Sequence, residues 1–189
     1  MITATKQQII DHGMDYLSKL GVEVICQVCI LNGGSCCKGC IHLKDRSGCQ
    51  LRNISCTGWL CGFQQYIFHE MGLLEQWNTF WQDIPGQDFR QDFTPPEVKI
   101  EGWMDPPDAR IRSVTSAFAK DLHEQTAQKK LGLPQLNDKL FSSMDKITFY
   151  KDSELIRYTI KKQKILMKDF QHFKVAKLNY DNFLMKEGE

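Results

Sequence analysis

Eight cysteines stand between Cys26 and Cys61, and no other cysteine occurs in the 189 residues. No other feature restricts the fold as much. The spacing is Cys26-x2-Cys29-x6-Cys36-Cys37-x2-Cys40-x8-Cys49-x6-Cys56-x4-Cys61. From Asn32 to Cys56 large apolar residues are sparse and Gly33, Gly34, Gly39 and Gly48 intervene. Such a segment cannot hold itself together by apolar burial and needs cross-links, either disulfides or metal–thiolate bonds. Residues 1–25 carry no unbroken apolar run of export-signal length. The expectation is therefore a cytoplasmic chain with reduced thiols, and metal rather than disulfide as the staple. No run of about 18 apolar residues occurs, so no membrane association is expected.

Thiolates bind borderline and soft metals, and four of them suit tetrahedral zinc or an iron–sulfur cluster. The pairs Cys26/Cys29 and Cys37/Cys40 have the two-residue gap that lets both sulfurs reach one centre. Cys36, Cys37, Cys40, Cys49, Cys56 and Cys61 lie in polar, glycine-rich surroundings that burial does not explain. Cys26 and Cys29 lie in the apolar run Val24–Leu31 and read equally as ligands or as small core residues. Backbone N–H groups at the neighbouring glycines can point at sulfur and stabilise its charge. An iron–sulfur cluster is the preferred cofactor and zinc the second. His42 reads as a neighbour of the site rather than a ligand. His12, His69, His123 and His172 read as ordinary residues.

The run Ser35-Cys36-Cys37-Lys38-Gly39-Cys40-Ile41-His42-Leu43, then Gly48-Cys49-Gln50-Leu51-Arg52, then Cys56 and Cys61, resembles the zinc- or iron-chelating cysteine-cluster family. It spans about 30 residues. The resemblance implies a chelating set of Cys36 or Cys37, Cys40, Cys49, and Cys56 or Cys61. The chain departs from that pattern in lacking an Arg-Pro pair before the later cysteine. Its gap from Cys49 to Cys56 is also shorter.

The remainder predicts one mainly α domain over 1–189. It comprises an irregular cysteine-rich metal lobe at 22–61, a Pro-rich extended arm at 83–107 and a helical, basic part at 104–189. Thr5 and Gln8 form a capping box that opens a first helix, and Gly21 ends it. The β-branched run Val22–Leu31 suggests a strand, with a buried helical turn as the alternative. Apolar steps of three and four from Leu60 to Trp81 predict one long core helix over 57–82, with Gly72 as a kink or break. Phe89, Phe93 and Trp103 are expected to pin the arm. Asp105 and Pro106 mark the start of a helix that Gly132 and Pro134 end, and a shorter helix follows over Gln135–Met144. Ile147–Tyr150 and Leu155–Ile160 favour a small β-hairpin before a last helix; the alternative is one helix from Ser153 to Leu178.

Charge supplies the remaining expectations. The chain balances 24 Lys+Arg against 23 Asp+Glu, which argues against a wholly basic nucleic-acid binder. Seven basic residues and one acidic residue nevertheless fall between Arg157 and Lys177, with Tyr158, Phe170 and Phe173 interleaved. That face can contact nucleic acid or a protein partner, although a solvated helix surface has the same composition. There is no HExxH, P-loop, GxGxxG before a helix or GxSxG, so hydrolase and kinase chemistry is not expected and no catalytic residue is assigned. Three functions remain: a redox or sensing metal protein, a regulatory binding module with structural zinc, and a metal-dependent enzyme.

Overall fold

The computed structural model describes residues 1–34, 40–88, 91–128 and 132–187. The chain opens with β1 (Ile2–Thr5) and α1 (Lys6–Leu20). Thr5 caps α1 and forms the expected box with Gln8, and Gly21 closes the helix with φ 74°. The next run is helical, not extended: α2 spans Glu23–Leu31. Its β-branched residues are a weak signal beside tertiary packing, because α2 lies against α6 (Ile111–Ala127) and buries Ile25 there. The hairpin β2 (Leu43–Lys44) and β3 (Gly48–Cys49) follows, then α3 (Ile54–Gly58).

The long apolar stretch is three helices rather than one. After α3 come α4 (Gly62–Glu70) and α5 (Leu74–Gln82). The first break falls at Trp59-Leu60-Cys61, where Cys61 caps α4 in an extended conformation. The second falls at Gly72, whose φ of 70° only glycine adopts without strain. The breaks let Phe63, Phe68, Trp77 and Trp81 converge on one core instead of circling a single helix.

The proline-rich arm is partly regular. It contains a two-residue hairpin, β4 (Gln87–Asp88) with β5 (Gln91–Asp92), and then β6 (Glu97–Ile100). β6 runs antiparallel to β1, pairing Ile2 with Ile100 and Thr5 with Glu97. Ile84, Thr94, Val98, Ile100 and Met104 anchor the arm, whereas Phe93 is exposed. Trp103 leans on the His12 ring, and Phe89 lies outside the described residues.

The C-terminal half is α6, α7 (Leu133–Phe149), α8 (Ser153–Leu166) and α9 (Gln171–Glu187). α6 begins at Ile111, not beside Pro106, because each residue before a proline is turned away from the α region and Asp105 and Pro106 both precede one. Gly132 and Pro134 open α7 rather than end α6. The expected hairpin at 147–160 is absent: α7 runs on to Phe149, and Asp152 starts α8 by accepting the Glu154 and Leu155 N–H groups. The alternative single helix is interrupted at 167–170, where Met167 and Phe170 turn into the core. The mainly α fold therefore stands, with its short hairpins elsewhere. α4 packs against α7, α6 against α9 and α7 against α8. At the α4–α7 crossing a side chain at Gly62 would come within 2.6 Å of the Phe141 nitrogen. No helix among the described residues is long and apolar enough to cross a membrane.

Candidate metal centre

Five of the eight cysteines line one cavity of about 440 Å3. α2 contributes Cys26 and Cys29, one turn apart on the face that carries Ile25 and Ile30 to the same cavity. β3 contributes Cys49, α3 contributes Cys56, and Cys61 enters at the cap of α4. Leu43, Trp59 and Phe63 supply apolar wall, and Arg52, Ser55, Gln64, Gln87 and Asp88 supply polar groups. Four elements, with thiols up to 35 residues apart in sequence, thus present sulfur to a common space. Cys26 and Cys29, the pair that also read as core residues, face this space and are only half-buried. Cys40 is half-buried and is not among the lining residues. Cys36, Cys37 and Gly39 lie outside the described residues. His42 is exposed on the β2–β3 hairpin.

Local sequence accounts for each placement. Gly48, with φ 82°, lets the hairpin turn onto α2, where a Cβ would sit 2.7 Å from the Ile30 Cδ1. Gly34 packs directly on the Cys29 sulfur, donating its N–H to the Cys29 carbonyl at 2.9 Å. Asn53 caps α3 by accepting the Cys56 N–H at 2.8 Å. Asp92 fixes the same helix from outside: its carboxylate accepts the Ile54 N–H at 3.1 Å and the Thr94 N–H at 3.0 Å, and pairs with Lys6 at 3.0 Å. Burial opposes the Asp92 charge, but the hydrogen bonds from Lys6, Thr94 and Ile54 outweigh it and hold the carboxyl below the usual carboxylate range.

The donor chemistry suits a thiolate centre. Cys61 takes the place of the usual Ser or Thr in a capping box with Gln64, so its sulfur faces the N-terminal N–H groups of α4. That position favours anionic sulfur through the helix dipole. The Gln64 amide holds both lobes of the pair: its Oε1 accepts the Cys61 N–H at 3.1 Å, and its Nε2 points at the Cys26 sulfur at 3.7 Å. Cys49 donates its S–H to the Leu51 carbonyl at 2.9 Å. Four thiolates on one zinc ion, each about 2.3 Å from it, would sit roughly 3.8 Å apart. Among the described residues no three cysteine sulfurs come within 4.8 Å of one another. The described thiols are spread around a larger volume.

A second group of possible ligands is Asp121, Glu124 and His172. Its geometry has a different explanation. The buried Asp121 carboxylate accepts the N–H groups of His172 at 3.3 Å and Phe173 at 2.8 Å, which caps α9 from α6. Glu124 reaches the His172 ring at 3.2 Å beside it. The group clamps two helices together. Neither His123 nor His172 shows ligand spacing in the sequence, and the packing of α6 on α9 is what brings Asp121 and His172 together.

No family model, no characterised protein and no solved structure matches the chain.

Proposed function

We propose that the chain holds an iron–sulfur cluster in this cavity through cysteine thiolates and works in electron transfer or redox sensing. The observation that carries the reading is the convergence of Cys26, Cys29, Cys49, Cys56 and Cys61 on one space. Isolated buried cysteines pack as small hydrophobes and have no reason to gather from separate elements. The breadth of the space favours a cluster over a single ion, which needs almost none of it. Trp59 on the wall would shield a cluster from solvent, and Gln64 would donate to a ligating sulfur. Hydrogen bonds to sulfur and exclusion of water are among the protein's main controls on cluster potential.

The test is elemental analysis and visible spectroscopy of anaerobically purified full-length protein. Iron with acid-labile sulfide and a brown colour are expected. Colourless protein with stoichiometric zinc replaces the cluster by a structural zinc module. Metal-free protein, with no thiolate–metal absorption after reconstitution, ends the reading. Cys56→Ser and Cys61→Ser are expected to lower bound iron; Met14→Ser, on the exposed face of α1, is not.

A further inference from the structure

The cavity contains more than a chelating set needs. At about 440 Å3 it falls within the range of pockets that hold small organic molecules. Among the described lining residues the polar side chains are already committed to the protein, with one exception. The Gln87 amide donates to the Trp81 and Ile84 carbonyls. The Ser55 hydroxyl donates to the Gln91 carbonyl and accepts the Asp88 N–H. The Gln64 amide spans Cys61 and Cys26. Arg52 is different. It is half-buried on the wall and makes no ion pair and no side-chain hydrogen bond among the described residues. Its stem takes part in the wall, and its five N–H donors have no acceptor among the described residues, so they are available to an anion in the cavity.

We propose that the cavity binds a small monocarboxylate, with the Arg52 guanidinium on its carboxylate and its apolar body against Trp59 and Phe63. The planar fork of arginine matches a carboxylate with two parallel hydrogen bonds. One cation among the described lining residues, with the Asp88 carboxyl lining the same space, suits a monoanion better than a phosphate dianion. The apolar faces of Trp59 and Phe63 give the body of such a ligand a surface to bury against. The inference rests on the thiolate reading only for what lies beside the ligand. Where a metal centre is present, the ligand sits next to it, and the site is one for a reaction or for ligand sensing rather than for electron transfer alone.

The experiment is calorimetric titration of anaerobically reconstituted full-length protein with benzoate, butyrate and benzamide, with metal content measured on the same sample. Benzoate is expected to saturate one site, and benzamide, similar in shape but uncharged, to bind at least about tenfold more weakly. Arg52→Gln is expected to weaken benzoate by roughly ten- to a hundredfold with no loss of metal content and no fall in the melting temperature of the ligand-free protein. Arg52→Lys recovers part of the loss. A change in the visible spectrum on adding benzoate places the ligand beside the metal. Absence of saturable binding by either carboxylate at millimolar concentration overturns the proposal, as does an Arg52→Gln protein that binds benzoate as well as the parent. Metal-loaded protein that ignores carboxylates sinks this proposal alone. Metal-free protein that binds benzoate through Arg52 sinks the thiolate centre alone.

Discussion

The helical body and the cysteine lobe are built on opposite principles. In the body, Phe118 is fully buried and meets Phe63, Tyr66, Phe170 and Phe173 with ring centroids 5.2–6.1 Å apart. Those rings come from three different parts of the chain, and their burial gathers α4, α6 and α9. In the described part of the lobe between Cys40 and Asn53, Gly48 is the one buried residue, and Ile41 and Leu51 are exposed. Two strands of two residues each supply its regular structure. The body therefore carries the stability of the molecule, and the lobe depends on the body and on whatever its thiols bind. Substitutions should separate the two regions sharply.

The largest effect is expected in the body. Phe118→Ala should cost about 3–5 kcal/mol, because it empties the centre of an aromatic cluster whose four surrounding rings cannot all collapse into the space. Denaturant unfolding measures it; a loss below about 1 kcal/mol would show that the body is not held by this cluster. Gly62→Ala comes next, at about 1–3 kcal/mol of overpacking. The added methyl meets the backbone of α7, and neither helix can yield by turning a side chain. Parallel unfolding curves for Gly62→Ala and Gly72→Ala check this: nothing lies within 4 Å of a side chain at Gly72, so only backbone strain acts there.

Asp92 joins the two regions and gives the comparison a pH dependence. Its carboxyl is held below the ordinary range in the folded chain, so its stabilisation is present above the unfolded pKa of about 3.9 and is lost as pH falls through the folded value. Asp92→Asn should cost about 1–3 kcal/mol at pH 7, since Lys6 and the Ile54 N–H lose a charged acceptor. Melting temperature followed from pH 7 to pH 3 is expected to fall less steeply in the variant. His12 adds a second acid-sensitive contribution. Burial lowers its pKa, and its Nε2 accepts the Met104 N–H at 3.2 Å, so the fold favours the neutral ring and its contribution weakens as pH drops below the unfolded value of about 6.5. Equal acid limbs in parent and Asp92→Asn would show that the link between α1, α3 and the arm contributes nothing.

Local rules with a single physical cause were legible in the sequence. The Thr5–Gln8 box, the left-handed Gly21 and the break at Gly72 each follow from two or three neighbouring residues. The helical class followed from the spacing of Leu60 to Trp81, even though that run folds as three helices. What was not legible depends on partners distant in sequence. Val22–Leu31 is helical because α6 takes its apolar face, and β6 is a strand because β1 lies beside it. Cys26 and Cys29 read equally as ligands or core residues until α2 is seen to wall the same cavity as Cys49, Cys56 and Cys61. Arg52 carries no local signature at all, and only the commitments of its neighbours single it out.

Within the lobe, Gly48→Ala should act on the site more than on the fold. The positive φ at this position costs an alanine about 1–2 kcal/mol, and the methyl would press on the Ile30 side chain. The hairpin is expected to lift from α2, carrying Cys49 away from Cys26 and Cys29. On the cluster proposal, bound iron falls while the unfolding midpoint of the metal-free chain changes little. A midpoint shift as large as that of Gly62→Ala would mean that the hairpin is part of the body.

The smallest effect is expected at Ile41, and it is the most discriminating control. An isoleucine that is 92% exposed already leaves nearly all of its side chain in water, so replacing it removes almost no burial. Ile41→Ser should change stability by less than about 0.5 kcal/mol, as surface substitutions away from special contacts do. It should also leave bound metal unchanged, since Ile41 lies outside the cavity wall. The same substitution at Ile67, fully buried in α4, removes a comparable side chain from the body and should cost several kcal/mol. Unfolding curves for the two variants therefore compare one chemical change in two settings. If Ile41→Ser costs more than about 1 kcal/mol, the lobe buries apolar surface after all, and its thiols are not what hold it together.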